Sequence, residues 1–257
     1  MKKDPIQIAR AKNRAFSQSE REAVYRAIFE RRDVRRNFLP HPIPSHVVRR
    51  LLMAAHHAGS VGFMQPWDFI VIQQRATKRD VKQLFIDANE RAIQQYRGTK
   101  AALYRELKLE GIEEAPLNLC VTCTRQRGGP HVLGRATIRD TDIYSTCCAI
   151  QNLWLAARVE GIGVGWVSIL DYDALKRLLG IPRSIKVVAY LCLGYVEAFA
   201  SQPDLEQAGW RQRLALEQLV HYERWGNRAE SMGKHDIVDG SGRVEGIGFS
   251  DGRQYRK

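Results

Sequence analysis

Apolar residues at helical spacing first occur at Ala23, Val24, Ala27, Ile28 and Phe29, behind the capping-box pattern Ser19-Glu20-Arg21-Glu22. They predict a helix ending near Arg31, where the run Arg31-Arg32-Asp33-Val34-Arg35-Arg36 begins. Pro40, Pro42 and Pro44 keep the next stretch extended. Ser45 caps a second helix to roughly His57, broken by Gly59-Ser60-Val61-Gly62. Trp67 to Ile72 reads as a short strand, and Thr77 opens a helix reaching about Tyr96. Residues 97–113 read as charged, mobile helix, and Ala115 to Thr122 as a strand. A loop at Gly128-Gly129-Pro130 precedes a long apolar helix from about Thr141 to Glu160. The stretch Gly161 to Leu170 enters another strand, and Asp171 caps a short helix to Leu179. Lys186 to Tyr195 is apolar and long enough for a central strand, and residues 203–224 look helical. Four strands interleaved with helices point to a single α/β or α+β domain. The expected boundaries are a basic arm over 1–18, the domain over 19–225, and a polar, glycine-rich tail over 226–257.

With 257 residues, 44% of them hydrophobic and 26% charged, the chain can bury a full core. No apolar run approaches the roughly 18 to 20 residues of a membrane span, and the N-terminus lacks the apolar segment of a secretory signal. The expectation is a soluble, cytoplasmic protein without a membrane partner. Five cysteines at irregular spacing are not a disulfide framework and are expected in the core. Strand alternation puts Cys120 and Cys123 on opposite faces, no second CxxC completes a zinc site, and His56-His57 diverge on a helix, so no metal is expected. The formal charge of +12 attracts anions. The cations are spread along the chain, with no lysine tract and no aromatic-rich pattern for single strands. A phosphate-bearing small ligand suits them better than nucleic acid.

Three segments could carry chemistry. Arg31, Arg32 and Arg35 offer planar forks for a phosphate around the single acid Asp33; they could equally be a solvated helix end opposing the helix dipole. Gly59-Ser60-Val61-Gly62 with Gln65-Pro66-Trp67 could let backbone and polar side chains meet a ring edge, or simply turn a helix into a strand. Gly161, Gly163 and Gly165 fail the dinucleotide fingerprint, which needs strand before helix; they read as a tight connection leading to Ser168 within a strand. The Gly-x-Ser-x-Gly elbow and the P-loop are absent.

The order of these segments resembles the nitroreductase-like flavoproteins, whose Arg-Arg-Ser-x-Arg motif follows the first helix. Here it reads Arg31-Arg32-Asp33-Val34-Arg35, with Asp33 in place of serine. That departure, with Gly165-Trp166-Val167-Ser168-Ile169-Leu170, resembles the dimethylbenzimidazole synthase branch. Further matching segments are Ala54 to Gly62, Gln65-Pro66-Trp67, Leu107 to Gly111, Leu133-Gly134-Arg135, Leu153 to Arg158 and Ala189 to Tyr195. The resemblance spans about residues 20 to 215. Gly59 stands where the branch carries proline or another small residue.

The resemblance implies an α+β nitroreductase-like fold, a mixed central sheet flanked by helices in a domain-intertwined homodimer. FMN would lie at the interface, with the helix of residues 141–160 there too. It also implies that reduced FMN is the substrate. With dioxygen, its dimethylated ring becomes 5,6-dimethylbenzimidazole, the lower ligand of cobalamin, and a four-carbon sugar phosphate leaves. An external NAD(P)H:flavin reductase would supply the reduced flavin. Arg31, Arg32 and Arg35 would hold phosphate and ribityl oxygens, with Val34 between them and Arg211 adding to the phosphate site. Ser60, Gln65 and Trp67 would line the flavin, and Asn89 would reach it from the partner subunit. Asp33 is the expected proton acceptor, and Ser168 would bond near the central-ring nitrogen. The alternative is an ordinary NAD(P)H-dependent nitroreductase or flavin reductase, which retains its FMN.

Overall fold

The computed structural model describes residues 15–228; most of the expected arm and most of the expected tail lie outside them. Contacts divide the chain into two units, one ending at Trp210 and the other starting at Arg211. In the first unit, helix α1 is Gln18–Glu30. Its capping box is Ser17 with Glu20, two residues before the expected one. Glu20 bonds back to the Ser17 amide at 2.7 Å, whereas Glu22 accepts from Gln18 inside the helix. Helix α2 is Ser45–His56, with Pro44 rather than Ser45 at the N-cap. Strand β1, Trp67–Ile72, and helix α3, Arg75–Ile93, follow.

Helix α4 covers only Gly98–Glu106 of the expected 97–113 helix. Beyond it, the buried Glu110 carboxylate accepts from Lys82, from Lys108 at 3.0 Å and from the Ile112 amide at 2.7 Å. Those bonds fold the chain back on itself, so the helix does not continue. Strand β2 is Leu117–Cys123, α5 is Thr141–Val159 and β3 is Ile162–Val167. Ser168 therefore lies one residue past the strand and is exposed, not within it. Helix α6, Tyr172–Leu179, is capped by Asp171, whose carboxylate accepts from the Asp173 and Ala174 amides. Strand β4 is Lys186–Tyr195. Where helix was expected from 203 to 224, α7 is one turn, Asp204–Gln207. The described part of the second unit has only a 3-10 turn at Leu216–Gln218; its exposed Leu214, Leu216 and Leu219 have no helical face to bury.

The sheet runs β1-β2-β4-β3, and all three pairings are antiparallel. The mixed character expected of it is confined, among the described residues, to one parallel bridge, Asp33 to Val164. Alternation along β2 and β4 sends Leu117, Leu119, Val121, Leu191 and Leu193 to one face. There they meet Val47, Leu51 and Ala55 of α2 and Ile150, Leu153 and Ala157 of α5. Cys120, Tyr190 and Cys192 face the other side, against Val81, Phe85 and Leu175. Cys123 is also buried, but Cys147 is half-buried and Cys148 exposed, because α5 turns that stripe away from the sheet. Not every cysteine is core, as had been expected. No helix among the described residues is long and apolar enough to cross a membrane.

On the outer edge of β3, Gly163 and Gly165 share one face of the strand. A Cβ on Gly165 would stand 2.1 Å from the Val34 carbonyl oxygen, and one on Gly163 would stand 3.0 Å from the Val34 Cβ. Their missing side chains let the 31–35 segment lie directly on the strand, where the Val34 amide donates to the Val164 carbonyl at 3.0 Å. Gly165→Ala should therefore lift that segment and cost about 1–3 kcal/mol or more, read by denaturant unfolding. Gly59→Ala, where an added Cβ meets nothing within 4 Å, should be neutral or slightly stabilising. Equal stability of the two variants would refute the close-approach account.

Candidate functional site

Arg31 is the C-cap of α1, and the segment after it has left the helix for extended backbone. Three contacts place it. The Trp154 indole of α5 donates to the Arg32 carbonyl at 3.2 Å, and the Arg31 guanidinium sits 4.6 Å above the Trp154 ring, a cation–π distance. The Trp166 amide of β3 donates to Asp33 Oδ1 at 3.0 Å. Arg35 pairs with the other oxygen, Oδ2. Both Asp33 oxygens thus have partners, yet its side chain stays 31% exposed. Burial pushes the Asp33 carboxyl above its ordinary value of 3.8; Arg35, the Trp166 amide and Arg31 pull the other way. Arg32 donates to the Phe29 and Ser201 carbonyls at 2.8 and 2.6 Å, tying the end of α1 to the loop before α7.

Arg32, Asp33, Val34 and Arg35 line a cavity of about 330 Å³, together with Ala198, Ala200 and Asp204. Arg35 Nε is buried there without a hydrogen-bond partner among the described residues. A desolvated guanidinium N–H is costly to leave unmatched, so the cavity suits an anionic or hydroxyl-rich ligand. The phosphate and ribityl chain of a flavin mononucleotide meet that description. Val34 adds packing and backbone, its amide being held by β3.

Ser60, Gln65 and Trp67 form a second group, on the turn between α2 and β1. Gly62, Phe63 and Gln65 all have positive φ, at 57°, 53° and 47°. Two non-glycine residues so close together in that region mark stored strain, held by surrounding bonds. Ser60 Oγ accepts from the Gln65 amide at 3.1 Å, and Ser145 Oγ of α5 accepts from the Val61 amide at 3.2 Å. Arg127 supplies the strongest clamp. It donates to the Gln65 and Trp67 carbonyls at 3.0 and 2.9 Å and pairs with both oxygens of Asp68. The Trp67 indole donates to His56 Nδ1 at 3.3 Å, which gives that histidine a structural contact. Gln65, Trp67, His56 and Arg127 line a separate cavity of about 640 Å³ that also presents Val48, Leu52 and Met53.

One chain therefore brings Arg31, Arg32, Asp33, Val34 and Arg35 together beside β3, and Ser60, Gln65 and Trp67 together beside β1. The two cavities share no lining residue. Asn89, on α3, accepts from the Tyr104 hydroxyl at 2.7 Å and lines neither. Ser168 follows β3 two residues after Trp166 and is exposed. Arg211, also exposed, opens the second unit. Reading the sequence missed Trp154, Trp166 and Arg127. Their bonds run from 154 to 32, 166 to 33 and 127 to 67, separations across which no local pattern speaks.

Most of the chain is similar to known proteins. A family model described as "Nitroreductase family" matches residues 28–195. The "5,6-dimethylbenzimidazole synthase" of Rhodobacter capsulatus is 42% identical over 202 residues, covering 79% of this chain and 97% of its own. The protein of the same name from Rhodospirillum rubrum is 42% identical over 188 residues, covering 73% of this chain and 89% of its own. In fold, the chain is similar to an oxidised iodotyrosine deiodinase bound to FMN and 3-iodo-L-tyrosine. That match has a TM-score of 0.62 at 20% identity and covers 79% of this chain and 100% of the other. The arginine segment with its aspartate, seated on the glycine face of β3, thus belongs to a chain that is a member of the nitroreductase family, in the branch of the 5,6-dimethylbenzimidazole synthases.

Proposed function

We propose that the chain takes reduced FMN as its substrate and, with dioxygen, fragments it to 5,6-dimethylbenzimidazole, the lower ligand of cobalamin. The observation that carries this reading is Asp33. A carboxylate occupies the serine position of the arginine segment, is held at both oxygens, and lines the same cavity as Arg32 and Arg35. The near full-length similarity to dimethylbenzimidazole synthases supports it.

Reduced FMN supplies the dimethylated ring and the electrons that dioxygen takes up. Arg31, Arg32 and Arg35 hold the phosphate and ribityl oxygens, fixing the chain of the substrate before any bond breaks. Asp33, placed among them, accepts a proton from the ribityl side. The Trp166 amide and Arg35 keep that carboxylate aimed. Ser168, just past β3, offers its hydroxyl to the central ring. Ser60, Gln65 and Trp67 line the ring, and Asn89 reaches it from a partner subunit.

These groups form one site in a homodimer, where the turn carrying Gln65 in one copy closes on the arginine segment of the other. The exposed apolar residues of α1, Val24, Tyr25, Ile28 and Phe29, with Tyr144 and Val159 on α5, support such a covered face. An external NAD(P)H:flavin reductase supplies the reduced flavin, in the cytoplasm.

The direct test mixes the protein with FMN, an external reductase and NADH, admits air, and follows products by mass spectrometry. Formation of 5,6-dimethylbenzimidazole with stoichiometric loss of FMN is expected. Intact FMN, cycling while the protein alone consumes NADH, would instead establish an ordinary nitroreductase. Asp33→Asn keeps an acceptor for the Trp166 amide but no base, and should lower product formation by about 10²–10⁴-fold with FMN affinity little changed.

The raised Asp33 carboxyl fixes the sign of the pH dependence. The midpoint of its deprotonation lies above 3.8, so activity should rise with pH through a midpoint higher than that value. In the folded chain the charged form is disfavoured, so the Asp33 contribution to stability should fall as pH rises through the same window. A rate profile with its acid limb at or below 3.8 would rule out Asp33 as the base.

Arg127→Gln should loosen the strained turn and cut turnover by about ten- to a hundredfold while bound flavin is retained. Arg127→Lys should not restore it, because an ammonium cannot reproduce the fork on Asp68 and the two carbonyls. Full activity of either variant would show that the clamp is not needed.

A further inference from the structure

A third cleft, of about 920 Å³, opens in the connection between β2 and α5. None of the residues assigned above to the flavin lines it. Its apolar wall is Pro130, Val132, Leu133 and Ala136, and its cations are Arg125, His131, Arg135 and Arg139. No carboxylate lines it. Arg125 is already neutralised, pairing with Asp140 at 2.8 Å and with the buried Asp142 at 3.1 Å. Arg135 is not: its Nη1 is buried with no hydrogen-bond partner among the described residues. A charged donor removed from water and left unmatched is expensive, and a charge-assisted acceptor is the usual remedy.

The loop that presents Arg135 is built onto the strained turn. A Cβ on Gly62 would lie 2.5 Å from Val132 Cγ1 and 2.8 Å from the Leu133 carbonyl oxygen, and one on Gly134 would lie 3.0 Å from Val61 Cγ1. Arg135 is thus carried by a fitted surface with a fixed backbone on either side. We infer that this cleft binds a phosphate ester of nucleotide size. Arg135 and Arg139 take the phosphate oxygens, His131 adds a donor, and Pro130, Val132 and Leu133 cover the organic body. The volume favours the ester over a free ion, since sites for small organic ligands span roughly 300–1,000 Å³.

Phosphate is common to two sources, a nucleotide and the free anion, and calorimetric titration separates them. The full chain is first saturated with FMN, so that any flavin site is filled, and ionic strength is held constant with chloride. NADH and inorganic phosphate are then titrated separately and in competition. Saturable NADH binding is expected, with phosphate competing at lower affinity. Arg135→Leu should weaken NADH by about tenfold or more, and Arg139→Gln by several-fold, with FMN content by absorbance unchanged. Arg139 is exposed, so its variant carries the test if Arg135→Leu does not fold. Phosphate binding as tightly as NADH would overturn the nucleotide-sized occupant. Unchanged affinities in both variants, or no saturable binding of either probe, would overturn the site. None of these outcomes depends on whether FMN is consumed.

Discussion

The site depends on two backbones being allowed to touch. The Arg35–Asp33 pair alone would not hold the three arginines and the aspartate of the 31–35 segment in one place; like charges repel, and the extended backbone has no hydrogen-bonded ladder of its own. What holds them is the edge of β3, stripped of side chains at Gly163 and Gly165 so that Val34 can lie against it. One backbone bond at Val164 and one amide-to-carboxylate bond at Trp166 then set the register of the whole segment. Residue Phe38 extends the same principle. It fits where Gly111 and Gly194 have no Cβ, and the Leu39 amide donates to the Tyr195 carbonyl at 2.8 Å. From Asp33 to Leu39 the chain is laid along the rim of β3 and β4, with the charged side chains left to face the cavity.

How much of this the sequence displayed differs by kind of feature. Strands β1, β2, β3 and β4 and helices α2, α5 and α6 were legible, because period, caps and breakers are local signals. The 203–224 stretch misled because its polar and apolar residues alternate plausibly for a helix, yet Leu214, Leu216 and Leu219 stay exposed and give a helical face nothing to bury. The glycines of β3 were visible but misjudged as a connection. Gly163 and Gly165 are two apart, which in a strand means one bare face, and a bare face signals another backbone. That inference was available from the spacing once the strand was accepted. The clamp of Arg127 and the support from Trp154 were not, because neither has a local motif.

The two groups of residues assigned to the proposed site are stabilised in contrasting ways. The arginine segment is unstrained extended chain held by a complementary surface. The turn from Gly62 to Gln65 is strained chain held by bonds to its carbonyls and amides, from Arg127, Ser60 and Ser145. Strained backbone survives only where its surroundings over-determine it. Pre-positioning therefore costs more at this turn, consistent with its proposed role of contacting the flat ring across a subunit boundary, where the partner cannot correct a misplaced loop.

Asp33 makes sense of the division of labour among the arginines. An aspartate in a phosphate-gripping segment would repel the phosphate unless its charge were answered locally. Arg35 answers it, and the Trp166 amide shares the load. Arg35 cannot then give its full fork to a phosphate, and its Nε is the donor that remains unmatched. Arg31 meanwhile sits over the Trp154 ring. A serine at position 33 would need none of this. With aspartate in place of serine, Arg35 serves both as the partner of the proposed base and as one of the proposed ligand-holding groups, and the neighbouring Arg31 and Arg32 leave the segment cationic despite that pairing.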